Sequence, residues 1–162
     1  MRMSDGVEWA VHCCTVLAAL PAGKGLTAAS LAEFHGVPSA YLAKHLQALT
    51  RAGVLEAAPG RGGGYRLAKP AREISICDVV EAVDGSAEAF RCREIRRRGP
   101  SAVKASAYGD MCGIARVMKS AETAYRAALA ATSIADLVRG LAAEAPPEAL
   151  AKGAVWLKEE LS

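Results

Sequence analysis

Apolar residues near the N-terminus recur at helical intervals. Val7, Val11, Cys14 and Ala18 fall at i, i+4, i+7 and i+11, the stripe of an amphipathic helix. Ser4 and Asp5 can cap it, and Pro21, Gly23 and Gly25 stop it after Leu20. A second, short helix is predicted from Thr27 to Phe34, ended by His35-Gly36. A third opens at Val37-Pro38-Ser39, with Ser39 as its cap, and runs to Ala52 before Gly53. Leu42, Leu46 and Leu49 form its inner face, which leaves Tyr41, Lys44, His45 and Gln47 outside. Two short helices, a tight turn and a third helix with a polar outer face suit a helix-turn-helix and a generic three-helix bundle equally well.

The next segment separates the two. Val54 to Ala58 reads as a strand, Pro59 to Gly64 as a flexible tip, and Tyr65-Arg66-Leu67 as the returning strand. A hairpin directly after a recognition-type helix is the wing of a winged helix. A nucleotide-binding glycine loop is the rival, but such loops open a helix, and here a strand follows. Arg61 places a positive charge at the wing tip. Beyond the wing, Ser75 and Asp78 form a capping box for a helix that closes at Asp84-Gly85.

From Phe90 to Met111 periodicity disappears, and Arg91, Arg93, Arg96, Arg97 and Arg98 crowd around Cys92. Periodicity returns at Gly113 and lasts to Ala131, where Ile114, Val117, Met118, Ala121, Tyr125, Ala128 and Leu129 share one face. This reads as a long dimerisation helix, because the wing domain offers little surface to bury it; an intramolecular core helix has the same pattern. Thr132-Ser133 caps a shorter helix to Leu141, Ala145-Pro146-Pro147 breaks the chain, and a short helix through Trp156 ends it. The fold class expected is mainly α: a winged helix-turn-helix with a two-stranded β-wing plus a long C-terminal dimerisation helix. The division expected is a DNA-binding domain at 1–85, a loop at 86–112, and the dimerisation and C-terminal helices at 113–162.

Composition changes this picture in two respects. Aromatic residues are only 5% of a chain that is 52% hydrophobic, so the core is built from Ala, Leu, Val and Ile. The net charge of +3 permits nucleic acid without requiring it. Glu8 and His12 interrupt the first apolar stretch, so no secretory leader is expected, and no run of about 18 apolar residues offers a membrane span. A cytoplasmic location follows as the expectation, with the five cysteines reduced or metal-bound.

Candidate chemistry lies in scattered residues. Glu8 and His12 stand one turn apart, roughly 6 Å between Cβ atoms, and on their own read as a solvated pair. Cys13 and Cys14 diverge by about 100° around the helix and suit small-core positions better than one shared site. No base or nucleophile stands beside a recognisable substrate pocket, so an enzyme is not expected.

These motifs together resemble the Rrf-two (IscR/NsrR-type) family of winged-helix transcription regulators. The resemblance rests on Tyr41-Leu42, Arg51-Ala52-Gly53-Val54-Leu55, the wing Gly62-Gly63-Gly64-Tyr65-Arg66-Leu67, the run from Ile74 to Gly85, Cys92, and Thr132 to Leu137, in order from about residue 3 to 141. It implies a homodimer on double-stranded DNA, at an inverted-repeat operator. Ser39, Tyr41, Lys44 and Gln47 would meet the major groove and Arg61 the minor groove. Cluster-binding members of the family carry three cysteines close together after the Asp-Gly; this loop has Cys92 and Cys112, with 19 residues between them. Gly6 to Cys14 and Cys92 to Pro100 resemble the RsrR-like redox-sensing branch, which implies a [2Fe-2S] cluster. Its ligands would be Cys92 and Cys112 of one subunit and Glu8 and His12 of the other, with Glu8 the exchangeable one. A clusterless regulator sensing a small molecule or thiol oxidation, and a zinc site, stand as the alternatives.

Overall fold

The computed structural model describes residues 3–60, 63–109 and 111–162. The chain forms helices α1 (Asp5–Ala18), α2 (Ala28–His35) and α3 (Ser39–Arg51), then strands β1 (Leu55–Ala58) and β2 (Gly64–Leu67). Helices α4 (Ile76–Asp84), α5 (Gly113–Ala130), α6 (Ile134–Glu144) and α7 (Pro147–Glu160) complete it. This is a winged helix-turn-helix with appended helices, as the pattern predicts.

Helix α1 is the centre, packed on α3, α4, α6 and β2. So many neighbours bury more than the predicted stripe. Val7, Ala10, Cys13, Cys14 and Leu17 are buried, while Val11 and Ala18 sit half-buried at the margin. Helix α1 also ends at Ala18, short of Leu20. Ser4 occupies the N-cap position without capping; its hydroxyl and N–H both donate to the Asp84 carboxylate, tying the start of α1 to the end of α4. Leu42, Leu46 and Leu49 turn the inner face of α3 into the core, as expected. Pro38, not Ser39, holds the N-cap position, and Ser39 is the first helical residue.

The wing is an antiparallel pair in the register Leu55 to Leu67 and Ala58 to Gly64. Val54 precedes the ladder rather than joining it. The sheet also receives Leu26, which exchanges both backbone hydrogen bonds with Tyr65 and so ties the wing to the lead-in of α2. Gly64 makes this approach possible: at φ +113°, a Cβ would fall 2.5 Å from the Leu26 carbonyl oxygen.

Ser75 and Ser133 each close a capping box, with Asp78 and Asp136 respectively. The boxes pair with each other: Ile76 donates to the Thr132 carbonyl and Ile134 to that of Ile74, both at 2.9 Å. Helices α4 and α6 therefore start from one clasp. Helix α7 corrects the expectation of a short terminal helix, for it runs 14 residues with Pro147 in its first turn. Among the described residues no helix is long and apolar enough to cross a membrane.

Candidate functional site

The stretch after α4 has no regular ladder, and its two cysteines nevertheless meet. Cys92 Sγ, Cys112 Sγ and a carboxylate oxygen of Glu94 lie within 4.8 Å of one another. The short segment 92–94 places two of these donors. Glu94 stands in the left-handed region at φ 49°, and its N–H points back to Cys92 Sγ at 3.4 Å. Sequence reading passed over Glu94, although its place two residues beyond Cys92 was a signal.

Cys112 arrives from the other side as the N-cap residue of α5. The N–H groups of Ala115 and then Ile114, aimed at its sulfur, hold the thiol below the usual cysteine range, and the Arg96 guanidinium adds to this. Arg96 grips the Glu94 carboxylate through Nε and Nη2, at 2.6 and 2.8 Å, and its hydrogen bond holds the Glu94 carboxyl below the usual range. The guanidinium in turn lies over the Tyr108 ring, 5.0 Å from its centroid. The outcome is a partly exposed pair of sulfurs beside an ion-paired carboxylate, a donor set suited to a thiophilic metal centre.

Glu8 and His12 stand elsewhere, both exposed on α1. Within one chain neither joins the two cysteines. His12 faces a second imidazole instead, with the His35 ring at 5.8 Å. His35 is half-buried, and its Nε2 is enclosed without a hydrogen-bond partner. Burial and the neighbouring His12 push its pKa down, so the neutral ring is favoured. Sequence reading assigned His35 only to a helix end; nothing local marked its enclosure. Cys13 and Cys14 are core residues, and burial lifts their thiols to about 12.

On α3, Ser39, Tyr41, Lys44 and Gln47 are all exposed. Lys44 Nζ sits 5.7 Å from the Tyr41 ring centre. Tyr41 meets Trp9 of α1 edge-on at 5.6 Å and His45 at 5.2 Å. Trp9, the residue adjoining Glu8, thus touches the side of α3 that carries Tyr41. Arg61 lies outside the described residues. On α5, Ile114, Val117 and Met118 are 64%, 68% and 44% exposed, an apolar face with no cover in the single chain.

Residues 3–140 match the Rrf2 family, described as an iron-dependent transcriptional regulator. YwgB of Bacillus subtilis is 35% identical over 91 residues, which cover 56% of this chain and 58% of YwgB. The HTH-type transcriptional repressor NsrR of Streptomyces coelicolor is 31% identical over 139 residues, 85% of this chain and 88% of NsrR. Among solved structures, T. potens IscR superposes with a TM-score of 0.65 at 20% identity, over 90% of this chain and 93% of that one.

Proposed function

Because the chain belongs to the Rrf2 family of transcriptional regulators, we propose that it is a homodimeric repressor whose operator binding follows the redox state of a [2Fe-2S] cluster. The observation that carries this reading is the meeting of Cys92 and Cys112 across a loop whose regular structure is two short 3-10 turns, Ile95–Arg97 and Ala105–Ala107, among its described residues. Two sulfurs this close, one with its thiol held below the usual cysteine range, fit half of such a cluster. The remaining ligands come from the partner's α1: Glu8 supplies the carboxylate and His12 the imidazole, with His35 beside it as the competing ring. His35 enters because an enclosed, unpartnered nitrogen is costly unless something binds it. Glu94 is the carboxylate that competes with Glu8. A bound cluster would supply a one-electron change of charge at this point.

The chain's own residues do the rest. Residues 1–85 bind DNA, 86–112 hold the cluster, and 113–162 join the subunits. Arg96 and its neighbouring arginines offset negative charge around the sulfurs. Trp9 follows Glu8 directly and braces Tyr41, so a shift of α1 reaches α3 in one contact. Ser39, Tyr41, Lys44 and Gln47 read the major groove of an inverted repeat and Arg61 the minor groove. Paired recognition helices must sit about 34 Å apart, so a small change of subunit angle loosens both half-sites together.

An anaerobic absorption spectrum with iron and acid-labile sulfide assays tests this. Visible bands that bleach with dithionite, with about two irons and two sulfides per chain, are expected. Cys92→Ser and Cys112→Ser abolish them. Glu8→Ala set against Glu94→Ala, and His12→Ala against His35→Ala, identify the other two ligands by which variant shifts the bands. A protein that stays colourless after anaerobic reconstitution rules the cluster out. The proximity of Cys92 and Cys112 then favours the second reading, a clusterless regulator that senses thiol oxidation or zinc at the same pair.

A further inference from the structure

The family match ends at residue 140, and α7 lies wholly beyond it. This last helix does not trail into solvent. It folds back onto α2, the first helix of the helix-turn-helix. Trp156 meets the Phe34 ring edge-on at 5.1 Å, and Gly153, with no side chain, lies against the same ring. At the other end of α2 the Ser30 hydroxyl donates to Glu160 Oε1 at 2.5 Å. Lys24 Nζ, just ahead of α2, donates to the Leu161 carbonyl at 3.3 Å. Trp156, Leu157 and Leu161 pack on the core.

Helix α2 needs such support. It has eight residues, too few to hold together alone in water, so whatever covers it sets its pose. Its inner side, with Leu31 and Ala32, is buried, and α3 flanks it. Helix α7 closes the side carrying Phe34 and holds both ends. The contact also reaches further: Phe34 touches His35 at 5.0 Å and His35 faces His12 at 5.8 Å. Rings therefore run from α7 through α2 to α1.

We propose that α7 is a strap in which Trp156 and Glu160 act as positioning residues, holding α2, and α3 behind it, in the arrangement that docks on DNA. This rests on the DNA-binding reading of α3. A helix that only added stability would lower the unfolding midpoint when weakened and leave the folded protein's affinity alone. A strap does more, because loosening it leaves only a fraction of molecules in the competent pose, and the apparent Kd rises by the inverse of that fraction.

The test uses the full-length dimer and a duplex selected from random sequence by the wild-type protein, with affinity measured well below the unfolding midpoint. Trp156→Ala is expected to raise Kd about fivefold or more and to speed amide exchange in α2 while α4 keeps its protection. Trp156→Phe restores both. Val155→Ala, on the exposed side of the same helix, changes neither. Glu160→Gln keeps the shape of the side chain, weakens only the Ser30 contact, and shows the same pattern more mildly; it carries the test if Trp156→Ala fails to fold. A lower midpoint with Kd within about twofold of wild type, or unchanged α2 exchange, overturns the strap. Failure of the wild type to select any duplex overturns the DNA-binding reading instead, and the exchange arm then decides whether α7 holds α2.

Discussion

Gly6 lies so close to His45 that a Cβ on it would fall 2.2 Å from the imidazole Cε1. This one missing side chain lets the start of α1 press against α3. His45 cannot easily give way, since Trp9 and Tyr41 flank its ring and its Nε2 is enclosed. Gly6→Ala should therefore cost about 1–3 kcal/mol in denaturant unfolding, as overpacking does. It should also weaken DNA binding by displacing α3; a variant as stable as wild type would show that the two helices are free to separate. Gly6 carried no such message in the sequence, where it was one glycine near a helix start. Cys13 and Cys14 were legible, because adjacent helical positions cannot converge on one site, and both are buried thiols. Glu94 and His35 were not. What distinguishes them is an ion pair in one case and an enclosed nitrogen in the other, and neither has a periodicity.

The two capping boxes were legible at the scale of elements, since Ser-x-x-Asp acts within one turn. That they clasp each other was not, because the paired residues stand 58 positions apart (Ser75 and Ser133). The second box also carries a pH dependence. Hydrogen bonds from the Ser133 side chain and then its backbone N–H hold the Asp136 carboxyl below its ordinary 3.8. A depressed folded value means that the Ser133–Asp136 box contributes fully above 3.8 and loses the carboxylate's contribution as pH falls through the depressed value. Ser133→Ala should accordingly lower the thermal midpoint at neutral pH, and the gap from wild type should shrink below pH 3.8. A gap independent of pH would mean that Asp136 gains nothing from the cap. Helix α7 shows the opposite limit of legibility. Pro146-Pro147 reads as a break, yet proline in a first turn has no N–H to lose there, so the same residues begin a 14-residue helix.

In the whole molecule, the α5 face formed by Ile114, Val117 and Met118 leaves apolar area in water that a single chain gives no means to cover. In the proposed homodimer, a second copy meeting the same face about a twofold axis would supply the cover. Val117→Glu is expected to shift sedimentation equilibrium from dimer towards monomer, and an unchanged dimer would place the subunit contact elsewhere. By itself the sequence determined the order of the helices, the two capping boxes, the paired strands of the wing and the leucine face of α3. Hydrogen bonding within a turn and a repeat of 3.6 or two residues are local properties that neighbouring residues satisfy among themselves. Only the tertiary structure decided that Cys92 meets Cys112 with Glu94 beside them, that His35 backs His12, that α1 presses on α3 at Gly6, and that α7 closes over α2. Each of these joins residues through loops without periodicity. Where such loops end depends on which faces the packed core leaves available.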